Sequence, residues 1–314
     1  MGRHAAVAER LRLLPPNDLE NSPTLCLMMG IAQSRLGQLR AGQDWVKRSL
    51  ERARRRGDST VQARALNVLG AIAFEMGRID DALQYFTRAL AEAERLGDSM
   101  TIARCCNNLG AIATLRGEYG KAVGSYTMAL AAFQQTGNRA GLAETLHNMA
   151  IAYREQNDLV TARETEERAA FEASAANDAA LLAAIESGRA EVQLLDGNAD
   201  LAMVSARRAV AMHRELDDVV GELEALRILA GALHRNGNVM EAKMMLQDVI
   251  ARANTLDRTL LAAQSERDLA RVLHEEREDA EAQDIARRAR SRFEQLGSDA
   301  QIRRLDEFLN MVTA

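Results

Sequence analysis

Proline and aromatic residues are scarce in this sequence. It contains 3 prolines, all before residue 24, and aromatic side chains make up 4% of the residues, although hydrophobic residues make up 47%. Because proline is the strongest helix breaker, its absence from the rest of the chain leaves nearly every later segment able to form a helix. No stretch of useful length alternates polar and apolar residues with the period of a β-strand, so the sequence predicts an all-α fold.

Long apolar runs, a basic excess and a cysteine framework are also lacking. The longest apolar run, Ala179 to Ile185, is far too short to cross a bilayer, and residues 1–4 do not begin a signal peptide. The net charge of −5 provides no basic field for nucleic acid or an anionic membrane. Cys26, Cys105 and Cys106 are too few for a disulfide framework and are interpreted as small apolar residues between helices. We therefore expect a cytoplasmic protein without a direct nucleic-acid or membrane partner.

The chain is organised around a short pattern that recurs every 40 residues. It reads ALNVLGA at residues 65–71, CCNNLGA at 105–111 and TLHNMAI at 145–151. Three further series keep the same interval: Gly37, Gly77, Gly117, Asn157, Gly197 and Gly237; Gly42, Ala82, Ala122, Ala162, Ala202, Ala242 and Ala282; and Gly57, Gly97, Gly137, Asn177, Asp217, Asp257 and Gly297. No insertion interrupts the count, which predicts an array of seven stacked repeats rather than one globular core.

Each repeat is predicted to contain two helices, here called the A helix and the B helix, joined by a tight turn. In the second repeat the pattern predicts the A helix over 60–76 and the B helix over 79–96, with Gly77 in the turn and Gly97 in the left-handed conformation that ends a helix. The first repeat is predicted over 23–36 and 39–56. Turns this short make consecutive helices antiparallel.

The two ends of the chain differ from the repeats. Residues 1–14 predict a helix that resembles the start of a B helix and is stopped by Pro15-Pro16, which favours a fragment of a longer protein over an N-terminal cap. Residues 299–312 predict an amphipathic helix that covers the last repeat. The expected organisation is a half-repeat helix and loop over 1–21, seven repeats over 22–298, and a C-terminal capping helix over 299–314.

The repeats resemble the tetratricopeptide repeat in an elongated form, over residues 23–297. The resemblance is carried by a Leu-Gly pair, an alanine after the turn, an aromatic residue and a second alanine; in the second and third repeats these are Leu69-Gly70, Ala82, Phe86 and Ala89, and Leu109-Gly110, Ala122, Tyr126 and Ala129. Similar 40-residue repeats occur in kinesin light chains, bacterial peptide-pheromone receptors and large ATP-binding transcription regulators. The resemblance implies a right-handed α-solenoid whose A helices line a concave surface that binds a protein or peptide segment.

Several repeats place charged residues where the second repeat has apolar ones. Glu166 lies at the position equivalent to Phe86, and Glu186 and Arg189 lie at those equivalent to Leu66 and Leu69. Glu266 also lies at the position equivalent to Leu66, and Arg277 replaces the glycine of the turn. A buried charge must be paired or must extend to solvent, so we expect partners for these side chains and the softest packing in the fifth repeat.

The resemblance implies that positions in phase with 64, 67, 71, 74 and 75 face the ligand. The candidate peptide-binding residues are Arg64, Asn67, Phe74, Arg104, Asn107, His147, Arg154, Arg227, His234, Arg267 and Arg271. An asparagine amide can pair with both the donor and the acceptor of a peptide main chain, and arginine suits carboxylates, so an acidic peptide or a chain terminus is a reasonable ligand. The alternative, in which these arginines pair with glutamates of adjacent repeats, stays open.

Other functions find less support in the sequence. His234 and His274 lie one repeat apart but have no third metal ligand at a recognisable spacing. The basic runs 52–56 and 287–292 end B helices, where cations are favourable and solvated. A phosphate-binding loop and a nucleophile turn are missing, so we expect neither an enzyme nor a cofactor or metal. The sequence predicts a non-catalytic protein- or peptide-binding scaffold; the alternatives are a ligand-sensing segment of a larger bacterial signal-transduction or transcription regulator, and self-association through the open N-terminal end.

Overall fold

The computed structural model describes residues 3–313, which form helices joined by short turns, with no strand among them. The helices, in order, are α1 (Arg3–Arg12), α2 (Pro16–Asn21), α3 (Pro23–Arg35), α4 (Leu39–Arg56), α5 (Ser59–Glu75), α6 (Ile79–Leu96), α7 (Ser99–Leu115), α8 (Tyr119–Gln135), α9 (Arg139–Glu155), α10 (Leu159–Ala176), α11 (Ala179–Leu195), α12 (Ala199–Glu215), α13 (Val219–Arg235), α14 (Val239–Thr255), α15 (Thr259–Glu275), α16 (Asp279–Gln295) and α17 (Asp299–Thr313). The A helices are the odd-numbered ones from α3 onward, and the B helices are the even-numbered ones from α4. Within the described residues, no helix is long and apolar enough to cross a membrane.

The predicted all-α fold of paired helices is confirmed, and most helix bounds agree within one residue. The start of the chain differs, because α1 ends at Arg12 and the predicted loop contains α2. Pro16 stands in the first turn of α2, where a proline ring is already in helical conformation, and Leu19 is buried with Leu11 and Met29. The chain therefore covers one side of α3 with two helices rather than with a helix and a loop.

The turns show why glycine recurs in the sequence. Gly97 ends α6 with φ of 67°, in the left-handed region that glycine enters without a steric penalty. Five non-glycine residues also hold positive φ: Asn177, Asp217 and Asp257 at positions equivalent to Gly97, and Asn157 and Arg277 at positions equivalent to Gly77. Asparagine and aspartate tolerate this conformation through local hydrogen bonds, whereas Arg277, with φ of 66°, has no such help from its side-chain type.

The chain divides into two compact units, and the division passes through α7 and α8. The N-terminal unit comprises Met1–Ile112 and Thr127–Asn138. Its core includes Leu66, Leu69 and Val46, and a Cβ added to Gly70 would lie 2.6 Å from the ring of Phe86. A small A-helix residue therefore packs directly against an aromatic residue of the B helix.

The C-terminal unit comprises Ala113–Tyr126 and Arg139–Ala314. In it the last helix returns to the beginning of the unit: the Ser298 hydroxyl, which is fully buried, donates a hydrogen bond of 2.6 Å to the carbonyl oxygen of Leu115. A Cβ added to Gly117 would lie 2.7 Å from the Cβ of Ala300, so the methyl group of Ala300 leaves no room for a side chain at this turn. We name this junction the closing contact; it joins Ser298, Ala300, Gln301 and Arg304 to Leu115, Gly117 and Glu155.

The buried carboxylates among the charged replacements, Glu166, Glu186 and Glu266, have partners, as expected. The Nδ1 atom of His147 lies 3.0 Å from both carboxylate oxygens of Glu166, which is 2% exposed. Arg292 donates from Nε to Glu266 over 2.9 Å, and Glu186 pairs with Arg189 over 3.1 Å. A buried carboxylate is thus accommodated at an apolar position by a cation brought from the same or the neighbouring helix.

Candidate functional site

The A-helix face of the N-terminal unit carries Arg64, Asn67 and Phe74 on α5, and Arg104 and Asn107 on α7. Arg64 and Arg104 occupy equivalent positions of successive A helices, and both side chains are exposed. Neither guanidinium has a hydrogen bond or an ion pair with any residue that the structure describes. These two arginines can therefore bind an anionic ligand without first breaking an internal ion pair.

The two predicted asparagines, Asn67 and Asn107, are both buried. Asn67 is 8% exposed, and its Oδ1 accepts a hydrogen bond of 3.0 Å from the Nδ2 of Asn108 and a longer contact of 3.4 Å from the Cys105 thiol. Asn107 is buried and engaged in its own internal interaction. The side-chain oxygen of Asn67 thus links α5 to α7. Phe74 is half-buried beside them.

In the C-terminal unit, three of the predicted arginines, Arg154, Arg227 and Arg267, are joined to carboxylates of the same or a neighbouring A helix. Arg154 pairs with Glu191 over 3.1 Å, and Glu191 pairs with Arg227 over 2.8 Å. Arg227 reaches Asp268 over 2.7 Å, and Asp268 also binds Arg267 over 2.9 Å. The series of polar contacts ends with Arg267, which donates a hydrogen bond of 3.0 Å to the side chain of Gln301. We name this series the polar ladder; it consists of Arg154, Glu191, Arg227, Asp268, Arg267 and Gln301.

The polar ladder holds its carboxylates in the charged state. Burial would raise the pKa of Glu191, but the Arg154 and Arg227 guanidiniums outweigh burial and lower that pKa to about 2. Burial would likewise raise the pKa of Asp268, and Arg267 and Arg227 lower it to about 2. Burial favours the neutral form of Arg227, yet Glu191 and Asp268 raise its pKa above the ordinary value. The ladder is therefore a set of mutually stabilised ions, in line with the alternative of pairing between repeats.

The polar ladder also connects to the closing contact. Gln301 donates from Nε2 to a carboxylate oxygen of Glu155 over 2.9 Å, and Arg304 donates to the same oxygen over 2.9 Å. Arg304 makes a further hydrogen bond of 2.7 Å to the backbone oxygen of Glu155. Since Glu155 follows Arg154 in sequence, the series begins on α9, passes through the four later A helices and returns to α9.

The two predicted histidines are also paired inside the C-terminal unit. His147 turns toward Glu166 on the B helix of its own repeat; burial opposes its charge, but Glu166 outweighs burial and raises the pKa of His147. His234 lies 3.7 Å from Glu275 and 3.9 Å from Glu276. His147 therefore has a local electrostatic role, and contact of either histidine with a ligand stays a prediction.

Sequence reasoning missed Asp268, Gln301 and Arg304 as members of this network. Asp268 lies one residue after Arg267, which occupies a position expected to face a ligand. The polar residues Asn108 and Asn148 at the positions equivalent to Asp268 were the signal that this position carries polar side chains. Gln301 and Arg304 belong to a helix that was interpreted only as a cap. Continuing the 40-residue phase into α17 would have aligned Gln301 with Val61 and Arg304 with Arg64.

One cluster has the residue types of a hydrolase triad. Ser187 Oγ lies 3.4 Å from His213 Nε2, and His213 Nδ1 lies 2.9 Å from Asp218. Ser187, however, is buried in the middle of α11 and bonds the Ala183 carbonyl oxygen, while the surrounding backbone N–H groups serve the helix. These groups join α11, α12 and α13, and they offer neither an oxyanion hole nor an exposed nucleophile.

The cysteines have the properties of packing residues. Cys26, Cys105 and Cys106 are buried free thiols. Burial raises the pKa of all three, and that of Cys105 reaches about 12. A thiol with so little thiolate at neutral pH is a poor nucleophile.

Comparison with known proteins agrees with this geometry. A family model described as Tetratricopeptide repeat matches residues 23–95 and 100–170. No curated protein matches the sequence. The chain is similar in fold to a Rap protein complexed with competence and sporulation factor, at 14% identity and a TM-score of 0.66, with coverage of 99% of this chain and 90% of that chain.

Two further solved structures share the fold. Aspartyl phosphate phosphatase F from Bacillus subtilis is 14% identical, with a TM-score of 0.67 and coverage of 88% of this chain and 71% of that chain. A signal transduction ATPase with numerous domains and a tetratricopeptide repeat sensor, from Pyrococcus horikoshii, is 15% identical, with a TM-score of 0.59 and coverage of 96% of this chain and 44% of that chain. At these identities the likeness concerns the fold. The family model thus identifies tetratricopeptide repeats over residues 23–95 and 100–170, and the helix pairs continue in the same 40-residue phase beyond them.

Proposed function

We propose that this protein is a non-catalytic module that binds a peptide or protein segment on the A-helix face of its N-terminal unit. Tetratricopeptide-repeat folds are typical of protein-interaction scaffolds, and a Rap protein of similar fold was solved with competence and sporulation factor bound. The observation that carries the proposal is the pair Arg64 and Arg104, which are exposed and without hydrogen bonds or ion pairs in the described part of the chain.

The side chains of this face favour an acidic, extended segment. Two guanidiniums at equivalent positions of successive A helices can each bind a carboxylate with two parallel hydrogen bonds. The amide of Asn67 can donate to a peptide carbonyl between them, and Phe74 offers an apolar contact. The ligand is thus proposed to be a peptide with at least two acidic groups.

The C-terminal unit is less suited to the same role. The predicted arginines Arg154, Arg227 and Arg267 of this unit are ion-paired, with side chains 7–11% exposed. Binding a peptide there would require the breaking of buried pairs, which costs several kcal/mol, about 3–5 for one partner removed. We therefore place the peptide site on the N-terminal unit.

A second candidate function is a sensor segment of a bacterial regulator. The similarity in fold to a signal transduction ATPase that carries a tetratricopeptide repeat sensor favours it, and this chain covers 44% of that protein. The gene sequence around this segment tests it: a nucleotide-binding domain upstream or a helix-turn-helix downstream would support the sensor, and a gene coding for this chain alone would contradict it.

The proposed site is tested by charge reversal with a matched control. The double variant R64E/R104E reverses the two arginines, and K47E/R88E makes the same charge change at exposed positions on the B helices α4 and α6. Affinity is measured by fluorescence anisotropy with labelled pools of acidic, neutral and basic decapeptides. A pull-down from the native lysate with the same variants then identifies the natural partner.

We expect the acidic pool to bind the wild-type protein best and R64E/R104E at least tenfold more weakly, because loss of two charged hydrogen-bonding groups exceeds about 1.4 kcal/mol. The K47E/R88E protein is expected to keep most of the affinity. Equal loss in both variants would show unspecific attraction by net charge, and unchanged affinity in R64E/R104E would reject the placement.

A further inference from the structure

Of the four predicted site arginines in the C-terminal unit, Arg271 on α15 is the one that does not belong to the polar ladder. It follows Arg267 by four residues and so lies one helical turn further along the same face. Its side chain is exposed, and no described residue forms a hydrogen bond or an ion pair with it. An arginine of this kind, beside a network of ion-paired side chains, has its donors available to a ligand.

The register of the helices places a second cation next to Arg271. The A helices α15 and α17 run in parallel, and Arg267 of one contacts Gln301 of the other over 3.0 Å. One turn further along both helices, Arg271 comes level with Arg304. Arg304 is itself bound to Glu155, so its position beside α15 is fixed by the closing contact.

The charges around Arg271 do not balance. Arg267, Arg271 and Arg304 supply three positive charges at this point, and the facing carboxylates are Asp268 and Glu155. Asp268 is shared with Arg227, and Glu155 is already bound by Arg304 and Gln301. The crowding by protein atoms and the charge of Arg267 lower the pKa of Arg271, although it stays charged at neutral pH. The cluster thus lacks at least one negative charge.

We propose that Arg271, with Arg267 and Arg304 on either side, is a binding site for a single oxyanion group, either a carboxylate or a phosphate. The planar guanidinium of Arg271 binds such a group through two parallel N–H donors. The neighbouring arginines, held in place by Asp268 and Glu155, supply the field that attracts it. The bound anion balances the third positive charge. This site lies within the C-terminal unit and does not depend on the peptide site proposed above.

The chemistry of the site separates the roles of its three arginines. Arg271 is the group that contacts the anion, because its donors are unused. Arg304 and Arg267 are positioning residues, since their donors are occupied by Glu155, Asp268 and Gln301. Replacement of Arg271 is therefore expected to remove binding without disturbing the polar ladder.

The test uses the full chain at pH 7 with inorganic phosphate and with glutarate, at ionic strength held constant with sodium chloride. Binding is followed by isothermal titration calorimetry and by the arginine side-chain N–H signals in ¹⁵N-resolved NMR. The variants are R271Q, which removes the charge, R271K, which keeps the charge but not the planar fork, and R207Q, which removes an exposed arginine from the B helix α12.

We expect saturable binding of one or both probes to the wild-type protein and to R207Q. R271Q is expected to bind at least tenfold more weakly and R271K to an intermediate extent. Tighter binding of phosphate than of glutarate would assign a phosphate-bearing ligand, and the reverse order a carboxylate. In chloride alone, R271Q should unfold at the same temperature as the wild type or at a higher one, because a repulsion between like charges is removed.

Three results would overturn the proposal. The first is equal anion binding by R271Q and the wild type. The second is equal loss of binding in R271Q and R207Q, which would show only general charge attraction. The third is an R271Q protein that is clearly less stable than the wild type in chloride, which would show that Arg271 supports the fold instead of a ligand.

Discussion

The closing contact can be tested by a single methyl group. In the variant G117A, the new Cβ would lie 2.7 Å from the Cβ of Ala300, well inside normal contact distance, so α17 would have to move away from the α7–α8 turn. The substitution also places alanine at φ of +75°, which costs about 1–2 kcal/mol for a residue with a side chain. The free-energy cost of the overlap with Ala300 must therefore be separated from the cost of placing alanine at positive φ.

Gly197 provides the matched control. It occupies the equivalent turn two repeats later, with φ of +84°, and a Cβ there would meet nothing within 4 Å. G197A therefore carries the backbone cost alone, and G117A carries that cost plus the overlap. Overpacking of this kind costs about 1–3 kcal/mol, so we expect the free energy of unfolding of G117A to lie below that of G197A by this amount.

A compensating change removes the overlap again. A300G deletes the methyl group that the new Cβ would meet, at a helix cost of about 0.5–1 kcal/mol. The double variant G117A/A300G should therefore be more stable than the sum of the two single effects predicts, by about 1–3 kcal/mol. A coupling energy of this size is expected for two positions in contact, whereas distant and independent positions give nearly additive effects.

The assay must report on the C-terminal unit. The single tryptophan, Trp45, lies in the N-terminal unit, so its fluorescence is unsuitable. Urea unfolding is followed by far-UV circular dichroism, and hydrogen exchange is measured on peptides that contain α17. Equal destabilisation in G117A and G197A, with no coupling to A300G, would refute the closing contact.

Three further predictions concern charge and backbone. R277G should raise the free energy of unfolding by about 0.5–1 kcal/mol in urea, because glycine accepts the positive φ without strain; a loss of stability would contradict this. In the folded protein the pKa values of Glu191 and Asp268 are lowered to about 2, so their stabilisation is complete above about pH 5 and lost as the pH falls toward 2. E191Q should flatten this dependence in unfolding measurements from pH 6 to pH 2, and a slope unchanged from the wild type would disprove the role of the ladder. The pKa of His147 is raised, despite burial, by Glu166, so that this pair stabilises the fold below the ordinary histidine pKa of about 6.5 and loses its effect as the pH rises through the folded-state value. An NMR titration should show a lower pKa for His147 in E166Q, whereas an unchanged value would refute the pairing.

The sequence was sufficient to predict the helices because their signals are local and repeated. Each turn residue, such as Gly77 or Gly97, recurs at a constant interval, and each copy confirms the phase of the others. The packing of Gly70 against Phe86 was predictable for the same reason, since both lie within one helix pair. Even the position of Arg277 in a left-handed turn follows from the phase alone.

The polar ladder and the closing contact were beyond such reasoning. The position of a residue within the 40-residue repeat predicts how far along its helix it lies, but not which neighbour its side chain contacts. Asp268 is an example: it pairs with Arg227 although it lies one position outside those expected to face a ligand. The contact of Ser298 with Leu115 spans 183 residues of sequence. It depends on small rotations between repeats that add up along the unit, and no local pattern encodes their sum.

Hydrogen–deuterium exchange of the full chain, with and without a saturating acidic peptide, tests the central claim most directly. If the A-helix face of the N-terminal unit binds the peptide, protection should appear in peptides from α5 and from residues 99–112 of α7, and not in those from the B helices α4 and α6. Protection confined to the B helices, or found only in the C-terminal unit, would contradict the account.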